Sequence, residues 1–505
     1  MKESYWQATA GPAGDFPALD HDLETDVLVV GGGITGVTAA LELRRMGVRV
    51  VLLERRKMSS GDTGRTTAHI TMMTDTKLTE LAKHFDEEEL RLAWEGGQAG
   101  MQIIRSHGEK HGIDCDLTDV PGFLELHAGA EEKDFESLRE ELELARKLGF
   151  SVNWLDHGPL GRAAIRFPDQ AKFHPLRYLD GLIRQALNTG VEIHENSPVD
   201  EIAGDSATCR GFSVSYKFVV IATHVPPSRG SDLGADLFQT KLSAYSTYAI
   251  RAESASTQLP EMIWSDTADP FFYLRVKKEK GRDFLILGGC DHKTGAMEST
   301  GSAGAALEEK LKEISDDSRI THRWSGQIIE PVDGLPFIGT DGDGRFIATG
   351  FSGNGMTYGS LAAQMARDAF AGRENRWRKL FALNRKTPSC IAGYVKENAT
   401  FPASFVADRL GKPQETSADL PCSCGAVLDF DGGRSAVFRD ESGLLHVLDP
   451  VCPHLGCIVR WNETEKTWDC PCHGSRFNAT GGLIAGPAVR GLSRRDEDQP
   501  AVNVG

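Results

Sequence analysis

The spacing of apolar positions changes several times along this 505-residue chain, and each change marks an element. Val27, Leu28, Val29 and Val30 form an unbroken apolar run, the pattern of a strand buried on both faces. Helical spacing follows over 37–46, and a second buried run spans 48–53. Residues 75–112 and 131–149 read as amphipathic helices rich in Glu and Lys, with Trp94 as a core residue. Strands are predicted near 241–251, 271–276 and 284–289, a helix over 356–371, and short antiparallel strands at 435–439 and 446–448. Between the last helix and those strands lies a connector, 372–415. There Trp377, Leu380 and Phe381 stand at helical spacing and are expected to pack inward, and 403–410 predicts a second short helix. The first 25 residues, with Tyr5, Trp6, Pro12 and Pro17, suggest an arm lying on the surface.

Glycines stand where the first strand meets the first helix. Gly31-Gly32-Gly33-Ile34-Thr35-Gly36 follows the strand at once, and Glu54 ends the next strand. With both strands and the helix in place, this is a dinucleotide fingerprint. Bare glycine backbone lets a pyrophosphate approach, the helix N-terminus faces its charge, and Glu54 would accept from a ribose hydroxyl. Candidate dinucleotide contacts are Gly31, Gly33, Ile34, Thr35, Gly36, Glu54 and Arg55.

Two Cys/His boxes lie near the other end, Cys452-Pro453-His454-Leu455-Gly456-Cys457 and Cys470-Pro471-Cys472-His473-Gly474-Ser475. Two Cys and two His in two loops suit a Rieske [2Fe–2S] centre, in which a His pair replaces a Cys pair on one iron. A structural zinc site uses the same residue types, but zinc boxes rarely carry the Leu-Gly and Gly-Ser fillers. A disulfide framework fits poorly in so long a chain. A Rieske oxygenase would lack the extra Cys pair, and no two-His-one-carboxylate motif stands out elsewhere.

The boxes resemble those of the Rieske proteins of cytochrome bc complexes. That resemblance implies Cys452 and Cys470 on one iron, His454 and His473 on the other, and a Cys457–Cys472 disulfide strapping the loops. Ser475 resembles the family serine that hydrogen-bonds a bridging sulfide, and Gly486-Pro487-Ala488 resembles the loop covering the cluster's third side. Where high-potential members carry a Tyr, this chain has Phe477, so a lower potential is expected.

Further motifs resemble the D-amino-acid oxidase-like flavoproteins. They are Gly61-Asp62-Thr63-Gly64-Arg65-Thr66-Thr67-Ala68-His69, Lys217-Phe218-Val219-Val220-Ile221-Ala222-Thr223, Asp333-Gly334-Leu335-Pro336, and Gly350-Phe351-Ser352-Gly353-Asn354-Gly355-Met356. The resemblance implies FAD as cofactor, held also by Thr63, Thr66, Thr67, Ala222, Thr223, Gly334, Gly353, Asn354, Gly355 and Met356. The helix opening near Met356 would aim its positive end at the flavin. Phe173-His174-Pro175-Leu176-Arg177-Tyr178-Leu179 resembles the helix start at which members cross between domains. His69 lies where some relatives attach flavin covalently, but in different surroundings, so noncovalent FAD is expected.

Taken whole, the chain resembles bacterial FAD-dependent oxidoreductases with a C-terminal Rieske domain. The implied fold is an α/β, Rossmann-like FAD-binding domain of the glutathione-reductase type with an interleaved α+β substrate domain, plus a small all-β Rieske domain. The expected limits are 1–25 for the arm, 26–371 for the flavoprotein region, 372–415 for the connector and 416–505 for the Rieske domain. Tyr248, Tyr273 and Arg275, on strands predicted to roof the flavin, are the candidate substrate contacts, with Arg275 able to clamp a carboxylate. His292 is expected in a loop beside that sheet.

Composition narrows the partners. Length suggests about three domains. A net charge of −16 argues against nucleic acid and anionic membranes. No run of eighteen apolar residues predicts a transmembrane helix, and 1–24 lack the apolar core of a signal peptide, so a cytoplasmic protein is expected. Cys115, Cys209, Cys290 and Cys390 read as small buried residues, while Cys422 and Cys424 have no clear role. The expected activity is oxidation of a small amine or amino acid, with hydride passing to FAD and single electrons through the Rieske cluster to an external acceptor. Inward electron flow for substrate reduction, or a redox sensor without turnover, would use the same parts.

Overall fold

The computed structural model describes residues 3–11, 14–226, 238, 240–255, 257–296, 301–390, 420–430 and 433–495. The helix expected over 403–410 lies outside them.

The apolar runs build a six-stranded sheet. Its order is Phe337–Thr340, Phe346–Thr349, Phe218–Ile221, Val27–Val30, Val50–Leu53 and Glu192–His194. All neighbours are parallel except the first hairpin. Val27–Val30 and Val50–Leu53 are buried at every position, which is why they read as continuous apolar runs. Helix Ile34–Arg44 covers this sheet and packs against helix Gly355–Phe370. Gly359 permits that approach, since a Cβ there would lie 2.5 Å from Thr35 Oγ1.

A nine-stranded sheet stands beside it. The three strands predicted for it are Leu242–Ser254, Tyr273–Glu279 and Arg282–Lys293, antiparallel to one another and longer than expected. Arg319–Pro331 extends the sheet on one side, and Met262–Asp266, Thr118–Glu125 and Ala164–Lys172 extend it on the other. Helix Pro175–Thr189 begins after a His174 cap, as the 173–179 motif predicts.

Three expectations need correction. The 75–112 stretch is not one helix but two, Leu78–Leu81 and Glu87–His111, because Asp86 and Glu89 form a capping box that starts the second afresh. Trp377, Leu380 and Phe381 are buried as expected, yet 373–384 folds as turns. There Arg385 clamps Asp333 at 2.6 and 2.7 Å and fixes the chain direction. The arm is not superficial either. Ser4 caps the helix Tyr5–Ala10, and Trp6 is only 2% exposed. Its indole Nε1 donates to Thr66 O at 2.7 Å, and its ring lies 5.0 Å from the Arg275 guanidinium. Trp94 is buried, as are Cys115, Cys209 and Cys390, whereas Cys290 is half-buried.

The last 70-odd described residues make two small antiparallel sheets. One holds Cys424–Phe430, Gly433–Arg439 and Leu445–Leu448; the other holds Arg460–Asn462, Thr467–Asp469, Arg476–Asn478 and Leu483–Ala485. Cys422 is exposed, and Cys424 Sγ approaches Glu463 at 3.7 Å. Among the described residues no helix is long and apolar enough to cross a membrane.

Trp6→Ala should remove about 3–5 kcal/mol of stability, the usual cost of emptying a buried Trp site. A lowered denaturant midpoint of the FAD-loaded protein would register it, and an unchanged midpoint would show that the arm merely rests on the domain.

Candidate active site and cluster site

The glycine loop between Val27–Val30 and Ile34–Arg44 is shaped by collisions that side chains would cause. Gly31 has φ +114, and a Cβ there would lie 2.4 Å from Ala222 O. A Cβ on Gly36 would lie 1.9 Å from Gly31 O. Gly33 caps the helix without a side chain, and the Thr63 hydroxyl accepts from Ile34 N at 3.2 Å. Glu54 accepts from Gly32 N at 2.7 Å and Arg56 N at 2.8 Å. This bare-backbone cradle at a helix N-terminus fits a dinucleotide pyrophosphate.

The loop opens into a cavity of about 390 Å³. Gly31, Gly33, Ile34, Thr35, Glu54, Arg55, Thr63, Thr66, Thr67, Ala222 and Thr223 all line it. Gly353, Asn354, Gly355 and Met356 line it too, at the start of helix Gly355–Phe370. Asn354 is tied down by Asp75 N at 3.0 Å and Met73 O at 2.7 Å. Two predicted glycines stand apart. Gly36 serves the close helix–strand contact, and Gly334 makes a turn of φ +79 against Thr76 and Leu81.

The three candidate substrate contacts separate. Tyr273 lines the cavity, its ring lying over Gly288 and its hydroxyl 2.5 Å from Thr247 Oγ1. Tyr248 lines it as well, 4% exposed and stacked on His292 at 5.6 Å. Arg275 does not reach the cavity. Its Nη1 donates to Phe173 O at 2.6 Å and Ala68 O at 3.3 Å beneath Trp6, so it ties the arm and loops together instead of clamping a substrate. His292 lies within the strand Arg282–Lys293, paired with Ser246, rather than in a loop.

Three lining side chains did not announce themselves in sequence. Asp75, Thr247 and Asp291 face the cavity with no motif around them. Burial pushes the Asp75 carboxyl up to about 6 and the Asp291 carboxyl up to about 7. His69 also lines the cavity, and burial, then the charge of Arg275, pulls its imidazole down to about 3, so it is neutral.

The two Cys/His boxes form facing loops. Cys457 and Cys472 are joined as a disulfide with Cα atoms 6.5 Å apart, and Cys470 Sγ lies within 4.8 Å of both sulfurs. The rings of His454 and His473 stand 4.9 Å apart, nearly perpendicular. The Cys452 thiol is held below its ordinary value by contact with Cys470, and further by the backbone N–H groups of His454 and Leu455 and the Ser475 hydroxyl. Burial, then the charges of His454 and Lys293, pull the His473 imidazole down to about 4. Two thiol sulfurs in mutual contact beside two imidazoles are the donor set that a [2Fe–2S] centre of this kind requires. Ser475 Oγ also accepts from Ala488 N at 3.2 Å, which fastens the 486–488 loop to the box and leaves the hydroxyl proton for sulfur. Phe477 is fully buried.

The boxes are seated on the flavoprotein region. Gln327 Nε2 donates to Gly474 O at 2.8 Å, a buried bond across 147 residues of sequence. Gly474, φ +71, faces Ala244, and Gly295, φ +76, faces Pro471. Arg55 Nη2 donates to Ile484 O at 3.2 Å, and Ile484, Gly486 and Val489 line the same cavity as the glycine loop.

Gly36→Ala should strip FAD from the purified chain, read as the 450 nm flavin absorbance per polypeptide, because no side chain moves a backbone carbonyl out of reach. Ser475→Ala should lower the cluster midpoint potential by roughly 60 mV, the equivalent of about 1.4 kcal/mol for one hydrogen bond and one electron. Voltammetry of the protein checks this, and a potential that rises or stays put would contradict the assigned bond.

Comparison with known proteins agrees with both halves. The FAD dependent oxidoreductase (DAO) family matches residues 26–369, and the Rieske [2Fe-2S] domain matches residues 415–495. A protein of Bacillus subtilis (strain 168), YhfW, named as a Rieske 2Fe-2S iron-sulfur protein, is 32% identical over 98% of each chain. Gamma-glutamylputrescine oxidoreductase of Escherichia coli (strain K12) is 24% identical over 74% of this chain and 90% of its own. Glycine oxidase from Geobacillus kaustophilus shares the fold with a TM-score of 0.60 at 20% identity, over 72% of this chain and 99% of its own. With a glycine cradle for a dinucleotide at one end and a Cys/His box at the other, the chain belongs to the FAD dependent oxidoreductase family, carries a Rieske domain, and has FAD and a [2Fe–2S] cluster as its cofactors.

Proposed function

We propose that the protein is a dehydrogenase for a small amine or amino acid that passes electrons through its Rieske domain to an external acceptor. The observation that carries this reading is the seat of the second Cys/His box on the flavoprotein region, through the Gln327–Gly474 bond, with 484–489 closing the same cavity that the glycine loop opens. FAD supplies two-electron hydride acceptance and the cluster one-electron transfer. The chain's own residues do the rest. Gly31, Gly33 and the N-terminus of helix Ile34–Arg44 receive the pyrophosphate, Glu54 turns to the ribose, and Asn354 to Met356 present a helix N-terminus to the flavin. Cys452 and Cys470 hold one iron, His454 and His473 the other, and the Cys457–Cys472 bond braces the loops. Tyr273 and Thr247 orient the substrate. Tyr248 and His292 fill the wall between the cavity and the buried Asp469–Arg476 pair of the Rieske domain, whose charges act on both rings. The similarity to a gamma-glutamylputrescine oxidoreductase and the fold shared with a glycine oxidase support an amine or amino acid. In this reading 26–371 forms the flavoprotein unit, 372–415 the connector and 416–505 the electron-transfer unit.

The test is an anaerobic stopped-flow record of the holoprotein mixed with candidate amines and amino acids. Flavin absorbance should fall first and cluster absorbance second; a cluster that stays oxidised beside bleached flavin would overturn the relay. Gln327→Ala should slow only the second phase. It leaves the Gly474 carbonyl without its protein donor, a loss of about 1–3 kcal/mol that shifts seated to unseated domains roughly five- to hundredfold.

A further inference from the structure

One wall of the cavity is built for positive charge. Strand Arg282–Lys293 passes through Gly289, φ +147, and Cys290, φ +62, before Asp291 faces the cavity. Asp291 Oδ1 is buried and makes no hydrogen bond, although the carboxyl is also linked to the Thr247 hydroxyl. His69 Nε2, on the same cavity, is likewise buried and unbonded. The His69 ring meets the Tyr273 ring edge-on at 6.0 Å, and the Phe271 ring lies 5.7 Å from Tyr273. Asp75 adds a second carboxylate to the wall, hydrogen-bonded to Gly353 N.

A buried carboxylate oxygen without a donor is costly, and a substrate group that brings both N–H donors and positive charge removes the cost. An ammonium does both, and the faces of Phe271 and Tyr273 favour a cation beside them. A substrate carboxylate meets the opposite conditions. On this wall Asp291 and Asp75 repel it, and Arg275, on the neighbouring strand, is bound to the Phe173 and Ala68 carbonyls. The cations that do line the cavity, Arg55, Arg56, Arg65 and Lys77, come from other segments of its lining. His69 is neutral and offers no compensating charge.

We propose that Asp291 anchors the ammonium group of a cationic amine substrate that carries no carboxylate next to the nitrogen. This rests on reading the chain as an amine or amino-acid dehydrogenase and narrows that reading to amines.

The test uses the FAD-loaded, cluster-loaded chain at pH 8 without oxygen. The probes are benzylammonium and n-butylammonium chloride, with phenylalanine and benzyl alcohol as comparators. Binding is read as a shift of the flavin spectrum and of the melting temperature, apart from turnover. At least one ammonium probe should bind saturably and at least about tenfold more tightly than both comparators. Asp291→Asn should weaken that binding about ten- to hundredfold, as loss of a charge-assisted hydrogen bond implies, with FAD content unchanged. Asp75→Asn should weaken it less, because the Asp75 carboxylate receives the Gly353 backbone N–H and has no orphaned buried oxygen of the kind Asp291 has. The proposal is overturned if neither ammonium binds, if phenylalanine binds as tightly as the amines, if Asp291→Asn leaves amine binding intact, or if that variant loses FAD. Bleaching of flavin by phenylalanine at equal rates in wild type and Asp291→Asn would sink the anchor and leave the dehydrogenase reading standing. Ammonium binding without bleaching would support the anchor and count against that reading.

Discussion

The side-chain amide of Gln327 donates across a domain boundary to the carbonyl of Gly474, the residue next to His473. Buried carbonyls need donors, so this bond is a condition on how the two regions meet. The same amide nitrogen lies 3.2 Å from Thr294 Oγ1, and the Gln327 backbone N–H is held by Asp62 at 3.0 Å, which stiffens the donor before the partner arrives. Each side also supplies a glycine where the other side's chain comes closest, Gly474 against Ala244 and Gly295 against Pro471. Backbone contact of this kind leaves little freedom in orientation, because the atoms involved cannot rotate away as side chains can. The arrangement lets the 484–489 segment form part of the cavity that the glycine loop opens.

Rigidity runs backwards from this junction. Arg55 lies on the glycine-loop side of the cavity and reaches Ile484 O, so one residue touches both cofactor regions. Away from the cavity, Trp6 from the arm sits over Arg275, and Arg275 in turn holds the carbonyls of Phe173 and Ala68, next to His69. Thus a segment at the far end of the sequence braces the loop that carries Thr66, Thr67 and His69. A buried guanidinium is stable here because carbonyl oxygens and an aromatic face replace its water. The wall round Asp291 is different in kind. It leaves polar atoms of Asp291 and His69 without partners, which a folded protein tolerates where a ligand completes the bonding.

The two cofactor motifs were legible because their requirements are local. A pyrophosphate needs bare backbone at a helix start; Gly31 provides it where a Cβ would strike Ala222 O, and Gly36 lets the helix close onto Gly31. A mixed Cys/His cluster needs its ligands within a few residues of one another, and such spacing survives in any sequence that binds it. The apolar runs at 27–30 and 50–53 were readable for a similar reason, since burial on both faces leaves no alternation to misread. The break at 82–86 was also written locally, in the Asp86–Glu89 capping box, though the surrounding Glu and Lys masked it.

Other features depend on neighbours far away in the chain. Arg275 has the charge for a substrate clamp, but its direction was set by Trp6 and by carbonyls some hundred to two hundred residues earlier. Asp291 looks like any strand-end acid until Tyr273, His69 and Phe271 are placed round the same cavity. The aromatic triplet at 377–381 follows helical spacing, yet the Arg385–Asp333 clamp holds that stretch in turns while the rings stay buried. By itself the sequence determined which cofactors the chain binds, because the motifs that mark them are built from adjacent residues and backbone shape. The tertiary structure alone decided which side chains face the cavity and how the cluster box meets it, because both depend on the packing of surfaces that share no stretch of chain.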